Sequence, residues 1–190
     1  MKPRDRMIES AIVLLAKQGY RATSFDAVIE RANAPRGSIY HHFPGGKDEL
    51  IAAAIDLAGE RAIAVVDGMK GKSAPDVVDG FMAMWRLVLD KSSFEAGCSV
   101  LAITVSAETP QLRAHAGQIF VSWREQLAEA LEAGGIDHEA AYRFAATLIA
   151  ASEGAVALSR AQDSFEPFDD VAMVLRSMAA SLVQQQPTGL

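Results

Sequence analysis

The chain of 190 residues has one cysteine, Cys98, which excludes an internal disulfide and any zinc site built on paired cysteines. Aromatic residues are scarce, at 7%, so most of the core must come from Ala, Leu, Val and Met. No apolar run approaches the roughly 20 residues of a membrane span, because charges interrupt every one; no membrane partner is expected. The charged start Met1-Lys2-Pro3-Arg4-Asp5-Arg6 has no signal-peptide core behind it, so a cytoplasmic location is the expectation. Internal repeats and low-complexity segments are absent. β-branched residues stand singly rather than in alternating runs, which favours helix over strand. A chain of this length can bury a sizeable core. These absences point to an all-α protein.

A general excess of positive charge is also lacking: the net charge is −6. Its distribution is uneven. Residues 1–47 carry eight Lys/Arg against four acids, whereas residues 48–190 carry ten against twenty. A basic end on an acidic body is the pattern of a nucleic-acid-binding segment attached to a second function.

Periodicity divides the chain further. Ile8, Ala11, Ile12 and Leu15 form a helical stripe within Arg4 to Tyr20, and Gly19 is placed to stop it. Thr23, with Asp26 three residues on, opens a second helix whose inner face is Phe25, Val28, Ile29 and Ala32. Asn33-Ala34-Pro35 breaks the chain: Asn tolerates a left-handed turn, and Pro suits the first position of the helix from Arg36 to about Phe43. Pro44-Gly45-Gly46 ends that helix, and Lys47 begins a longer one with acids in its first turn. Two short helices joined by a tight turn make a helix-turn-helix, whose second member enters the DNA major groove.

Beyond Gly68 to Ser73, further helices start at Ser73, at Thr109-Pro110 and at Asp137, with a last apolar stripe from Val171 to Leu182. The segment Cys98 to Val105 reads as strand by propensity, but nothing exists to pair with it, so helix is expected. The helix over 137–160 is apolar on two sides (Tyr142, Ala145, Ile149 and Val156; Phe144, Leu148, Ala151, Ala155 and Leu158) and should be buried on both. The polar tail from Gln184 is expected to fray.

The run Thr23-Ser24-Phe25, Val28, Ala32, Arg36-Gly37-Ser38-Ile39-Tyr40-His41-His42-Phe43 and Lys47 resembles the signature of TetR-family (tetracycline-repressor-like) transcriptional regulators. Phe43-Pro-Gly-Gly-Lys-Asp-Glu-Leu and Gly97-Cys98 are similar to the branch containing flavonoid- and lincomycin-responsive repressors. Asn33 and Pro35 stand where Gly and Ser are commoner in the family. The resemblance implies a DNA-binding domain over residues 1–46 and a helical ligand-binding and dimerisation domain over 47–190. It also implies a homodimer joined through the last two long helices, with a double-stranded DNA operator and a small-molecule effector as further partners.

The candidate DNA-binding residues are Thr23, Ser24, Arg36, Gly37, Ser38, Tyr40, His41, His42 and Lys47. Arg36 and Ser38 open the recognition helix, the end that meets base edges. Tyr40, His41 and His42 are placed for phosphates and sugars, although the Tyr40 ring can equally support the headpiece core. Thr23 and Ser24 at one helix start, and Lys47 at another, can meet phosphates where backbone N–H groups point outward. Arg4 and Arg6 are candidates for a mobile arm. The candidate pocket residues are Phe81, Met82, Trp85, Cys98, Leu101, Phe120 and Trp123, although such stripes are more often plain core. The candidate dimer contacts are Ala145, Ile149, Ser152, Val156, Val171, Leu175, Met178 and Leu182.

Adjacent histidines project in different directions, so no metal site is expected, and no cofactor. No catalytic residue is assigned, because His115 and His138 lie in separate segments and Cys98 lacks a base. The expected function is a ligand-responsive repressor, released from a palindromic operator by a small apolar or aromatic molecule, and not an enzyme. The alternative is a helical small-molecule-binding protein or enzyme without a DNA-binding role.

Overall fold

The computed structural model describes residues 2–184, and these form helices with no strand. In chain order they are α1 (Pro3–Ala22), α2 (Phe25–Ala32), α3 (Arg36–His42), α4 (Lys47–Asp67), α5 (Ala74–Ser92), α6 (Ser99–Ser106), α7 (Pro110–Ala133), α8 (His138–Gln162) and α9 (Glu166–Gln184). The ambiguous segment is α6, and Cys98 starts it: its Sγ accepts from the Leu101 N–H at 3.3 Å. The polar tail after Gln184 lies outside the described residues.

The chain packs as two compact units, Met1–Arg61 with Ala96–Phe120, and Ala62–Glu95 with Val121–Leu190. The division therefore does not follow the motif boundary after residue 46. Helix α6 packs on α1, so a segment distant in sequence belongs to the first unit. The residues of α4 divide between the units after Arg61, and those of α7 after Phe120.

In the first unit, helical geometry in α1 breaks at Gly19, at φ +78°, and the chain then coils on to Ala22. Thr23 Oγ1 donates to the Gly19 carbonyl at 2.8 Å and is 1% exposed. Its hydroxyl is thus committed backwards, and the next residue caps α2. Ser24 Oγ accepts from the Ala27 N–H at 3.1 Å, a bond whose loss costs about 1 kcal/mol. Asn33 ends α2 in the left-handed conformation, φ +48°, as its short polar side chain permits. Pro35 stands just before α3 as its N-cap, one position earlier than expected. Ile39 is the one buried residue of α3, and Phe43 behind it is fully buried with Met7, Leu15, Leu50 and Ile51. Burying an aromatic side chain of that size stabilises the unit by about 3 kcal/mol.

In the second unit, Ser73 caps α5: its hydroxyl donates to Asp76 Oδ2 at 2.6 Å and accepts from the Asp76 N–H at 3.4 Å. Asp137 Oδ1 caps α8, accepting from Glu139 and Ala140 at 3.0 and 3.1 Å. The turn after α7 comes so near the start of α5 that Ala74 N–H donates to Gly134 O at 3.0 Å, and a Cβ on Gly134 would lie 2.5 Å from that nitrogen. Only glycine fits there. Helix α9 packs on α5 and α8. Arg86 pairs with Asp169, and Arg176 with Asp79, about half exposed. Such pairs add about 0–1 kcal/mol each, so the buried Phe168, Leu175 and Ala179 hold α9 in place. The two-sided burial expected of α8 is incomplete: Tyr142 is 41% and Leu158 50% exposed.

Candidate nucleic-acid interface

Because α3 spends Ile39 on the core, its other side faces water. Arg36, Gly37, Tyr40 and His41 are exposed, and Ser38 and His42 are half-buried. Ser38 Oγ donates to Pro35 O at 2.7 Å, closing the first turn while its lone pairs stay open to a donor. Tyr40 fills both roles considered for it. Its ring edge meets Phe25 at 5.4 Å between centroids, yet the residue remains 67% exposed. The phenol is thus aimed outward by a ring that is held.

Four of the expected contacts are placed differently. Thr23 is buried and committed to Gly19, as above. Lys47 is half-buried: Nζ donates to Tyr20 O at 2.7 Å and lies 3.8 Å from the centre of the Tyr20 ring. Its pKa is lowered, chiefly by burial. Arg4 lies over the Phe43 ring at 5.3 Å, and Arg6 Nε donates to Ala32 O at 3.1 Å, so both are folded onto the headpiece rather than forming an arm. Thr23 and Lys47 are fastenings. The outward polar set is Ser24, Arg36, Gly37, Ser38, Tyr40, His41 and His42.

Sequence reading missed the network that Lys47 joins. Tyr20 Oη donates to Asp48 Oδ1 at 2.7 Å, and Thr109 Oγ1 donates to Asp48 Oδ2 at 3.0 Å. Burial first, and then the bond to Asp48, push the Tyr20 phenol up to about 12. One carboxylate thereby ties the end of α1, the start of α4 and the segment before α7. The available signal was Tyr20, an aromatic directly after a helix-ending glycine.

The pocket candidates divide between the units. Phe81, Met82, Trp85 and Trp123 are buried in the second, where Trp85 and Trp123 meet edge to face at 6.4 Å. Trp85 Nε1 is buried with no acceptor among the described residues, and neither has Ser159 Oγ a partner. Cys98, Leu101 and Phe120 belong to the first unit, Cys98 buried and the other two half-buried.

Of the dimer candidates, Ala145, Ile149, Ser152, Val156 and Leu175 are buried in the chain's own core and have no surface left for a partner. The physical reason is that α5 and α9 already cover that stripe of α8. Val171 and Leu182 are half-buried and Met178 is exposed. With Met173 and Val174, 65% and 58% exposed, Met178 and Leu182 line a groove of about 470 Å³ along α9.

His41 and His42 lie with their rings at 60°, and among the described residues no three His, Cys, Asp or Glu side chains gather as a metal site. No described helix is long and apolar enough to cross a membrane.

Residues 7–54 match the model for bacterial regulatory proteins of the tetR family, and residues 74–174 that for the C-terminal domain of LmrA/YxaF-like transcriptional regulators. An uncharacterised HTH-type transcriptional regulator of Mycobacterium tuberculosis is 34% identical over 183 residues, 93% of each chain. The HTH-type transcriptional regulator LmrA of Bacillus subtilis is 27% identical, covering 82% of this chain and 85% of its own. In fold the chain is similar to a TetR transcriptional regulator of Legionella pneumophila, with a TM-score of 0.83 at 23% identity over 94% of this chain and 97% of that one. With an exposed recognition-helix face and these matches over both parts of the sequence, the chain belongs to the TetR family of bacterial transcriptional regulators, which are not enzymes.

Proposed function

We propose that the protein is a ligand-responsive repressor that binds a palindromic operator as a homodimer. The observation that carries the reading is the outward face of α3, where Arg36, Gly37, Tyr40 and His41 are exposed and the Tyr40 ring is steadied against Phe25. Arg36 reads guanine O6 and N7, a contact worth about 1–3 kcal/mol of discrimination. Ser24, Tyr40, His41 and His42 position the helix on phosphates and sugars. A repressive role is supported by a relative: the HTH-type transcriptional repressor KstR of Mycolicibacterium smegmatis is 34% identical over 64 residues, 34% of this chain and 31% of its own.

The α9 groove is the self-association surface. Its exposed Met173, Val174 and Met178 form a contiguous apolar strip, of the kind that marks an interaction site. Two-fold pairing there sets two α3 helices one DNA turn, or a multiple, apart. The effector binds in the second unit beside Trp85 and Trp123; supporting this, Trp85 keeps a buried indole N–H that a ligand acceptor can satisfy. Helix α4, which contributes to both units, links effector binding to DNA affinity.

A gel-shift on the protein's own upstream DNA tests the reading. Binding is expected to be sequence-specific, salt-sensitive and weakened about 5- to 150-fold by Arg36→Ala. Absence of specific binding to any fragment sinks it. Val174→Glu should yield monomers in light scattering and weaken operator binding. Leu57→Pro, in the middle of α4, should leave ligand binding intact and abolish its effect on DNA.

A further inference from the structure

The headpiece has a second cationic surface that the recognition helix does not use. Between α1 and α2 lies a groove of about 370 Å³ lined by Arg6, Glu9, Ser10, Val13, Arg31 and Ala32. Arg31, on the last turn of α2, is exposed and has no hydrogen bond or ion pair among the described residues. Arg6 is fixed at the wall by its bond to Ala32 O. Ser10 lines the same groove at 6% exposure, and its hydroxyl has no partner among the described residues. Glu9 contributes an opposing charge, but both its oxygens accept from the Arg61 guanidinium, one at 2.9 Å. Its charge is neutralised at the rim.

Helix-end compensation does not account for this arrangement. Three of the last four carbonyls of α2 already have donors: Ile29 O takes the Ala34 N–H, Glu30 O the Asn33 N–H, and Ala32 O the Arg6 guanidinium. Arg31 is therefore surplus to the cap, and a cap needs neither an open groove nor a buried, unspent serine. Two arginines and a hydroxyl around a space of this size are the chemistry that holds a phosphate, since guanidinium forks pair with its oxygens and the hydroxyl donates to a third.

We infer that the α1–α2 groove is a binding site for a phosphate group, held by Arg31, Arg6 and Ser10. The phosphate comes either from a small phosphorylated molecule or from the backbone of bound DNA. Only the DNA source rests on the repressor reading.

Two measurements on the full chain separate the sources. Inorganic phosphate, titrated calorimetrically at constant ionic strength, should bind saturably, and Arg31→Ala and Ser10→Ala should each weaken it at least tenfold; that outcome assigns a small-molecule ligand. If phosphate does not bind, but Arg31→Ala lowers the slope of log affinity against log salt on the operator by about 0.9, the site grips one backbone phosphate. Arg31→Lys, which keeps the charge and loses the fork, should restore the slope but not the calorimetric affinity. Unchanged phosphate binding in both alanine variants, or neither effect in any of them, overturns the site. Arg36→Ala is the control for the repressor reading. It should reduce sequence-specific binding and leave the phosphate isotherm unchanged, so the two readings fail separately.

Discussion

The two units treat polar groups in opposite ways. The first joins them around its fold: Tyr20, Lys47, Asp48 and Thr109 are linked by bonds of 2.7 to 3.0 Å at the base of the helix-turn-helix, and the Ser10 and Arg31 side chains, unbonded among the described residues, lie at the α1–α2 groove. The second pairs its arginines on the surface and leaves Trp85 Nε1 and Ser159 Oγ buried without partners. An unsatisfied buried group costs about 1–3 kcal/mol, whereas a made hydrogen bond returns about 1. One unit is thus built to hold a short helix in a fixed attitude. The other carries a deficit that a bound molecule can repair.

The largest effect should come from the apolar frame of the first unit. Phe43→Ala should destabilise it by about 3–5 kcal/mol, read by calorimetry, because truncating a fully buried ring leaves a cavity behind α3. In the second unit, Gly134→Ala should cost about 1–3 kcal/mol, since backbone rather than a flexible side chain must yield. An unchanged unfolding midpoint would show that the turn adjusts freely.

Removing single hydroxyls sharpens the comparison. Tyr20→Phe should cost about 1 kcal/mol, and Ser159→Ala should be neutral or stabilising. The reverse order in denaturant titrations would erase the distinction between the units. The Tyr20 bond also has a pH signature. Because folding raises the phenol pKa to about 12, its contribution is fully present below the ordinary value near 10 and is lost as pH rises towards 12. Alkaline unfolding should therefore separate wild type from Tyr20→Phe below pH 10 and bring them together above 12. The smallest effect lies on the exposed surface: Glu132 accepts from His138 at 2.8 Å and raises its pKa. Glu132→Gln should lower the imidazole pKa towards its ordinary value, followed by NMR, with little change in stability.

The all-helical class and the helix-turn-helix were legible because local chemistry decides them. Asn33 in the left-handed region, and Ser73 and Asp137 as caps, act within four residues of themselves. Arg36, Gly37, Tyr40 and His41 were legible as a set for the same reason, since one buried Ile39 dictates which side faces out. What escaped depends on partners far along the chain. Lys47 reads as a surface cation until Tyr20, 27 positions earlier, claims it. The return of α6 to α1 cannot be seen in either helix alone. On α8 the apolar stripe was visible, but whether it served its own chain or a second copy depended on α5 and α9.

A recognition helix with a single anchor has a consequence for how such a protein changes. Of the seven residues of α3, Ile39 alone is buried, so the reading surface is almost uncoupled from folding. On the proposed reading, substitutions at Arg36 or Gly37 can redirect the protein to another sequence while the scaffold beneath keeps its stability. The same architecture that fixes where the helix sits leaves what it reads open to drift, and makes those two positions the natural ones to randomise in building a regulator with a new address.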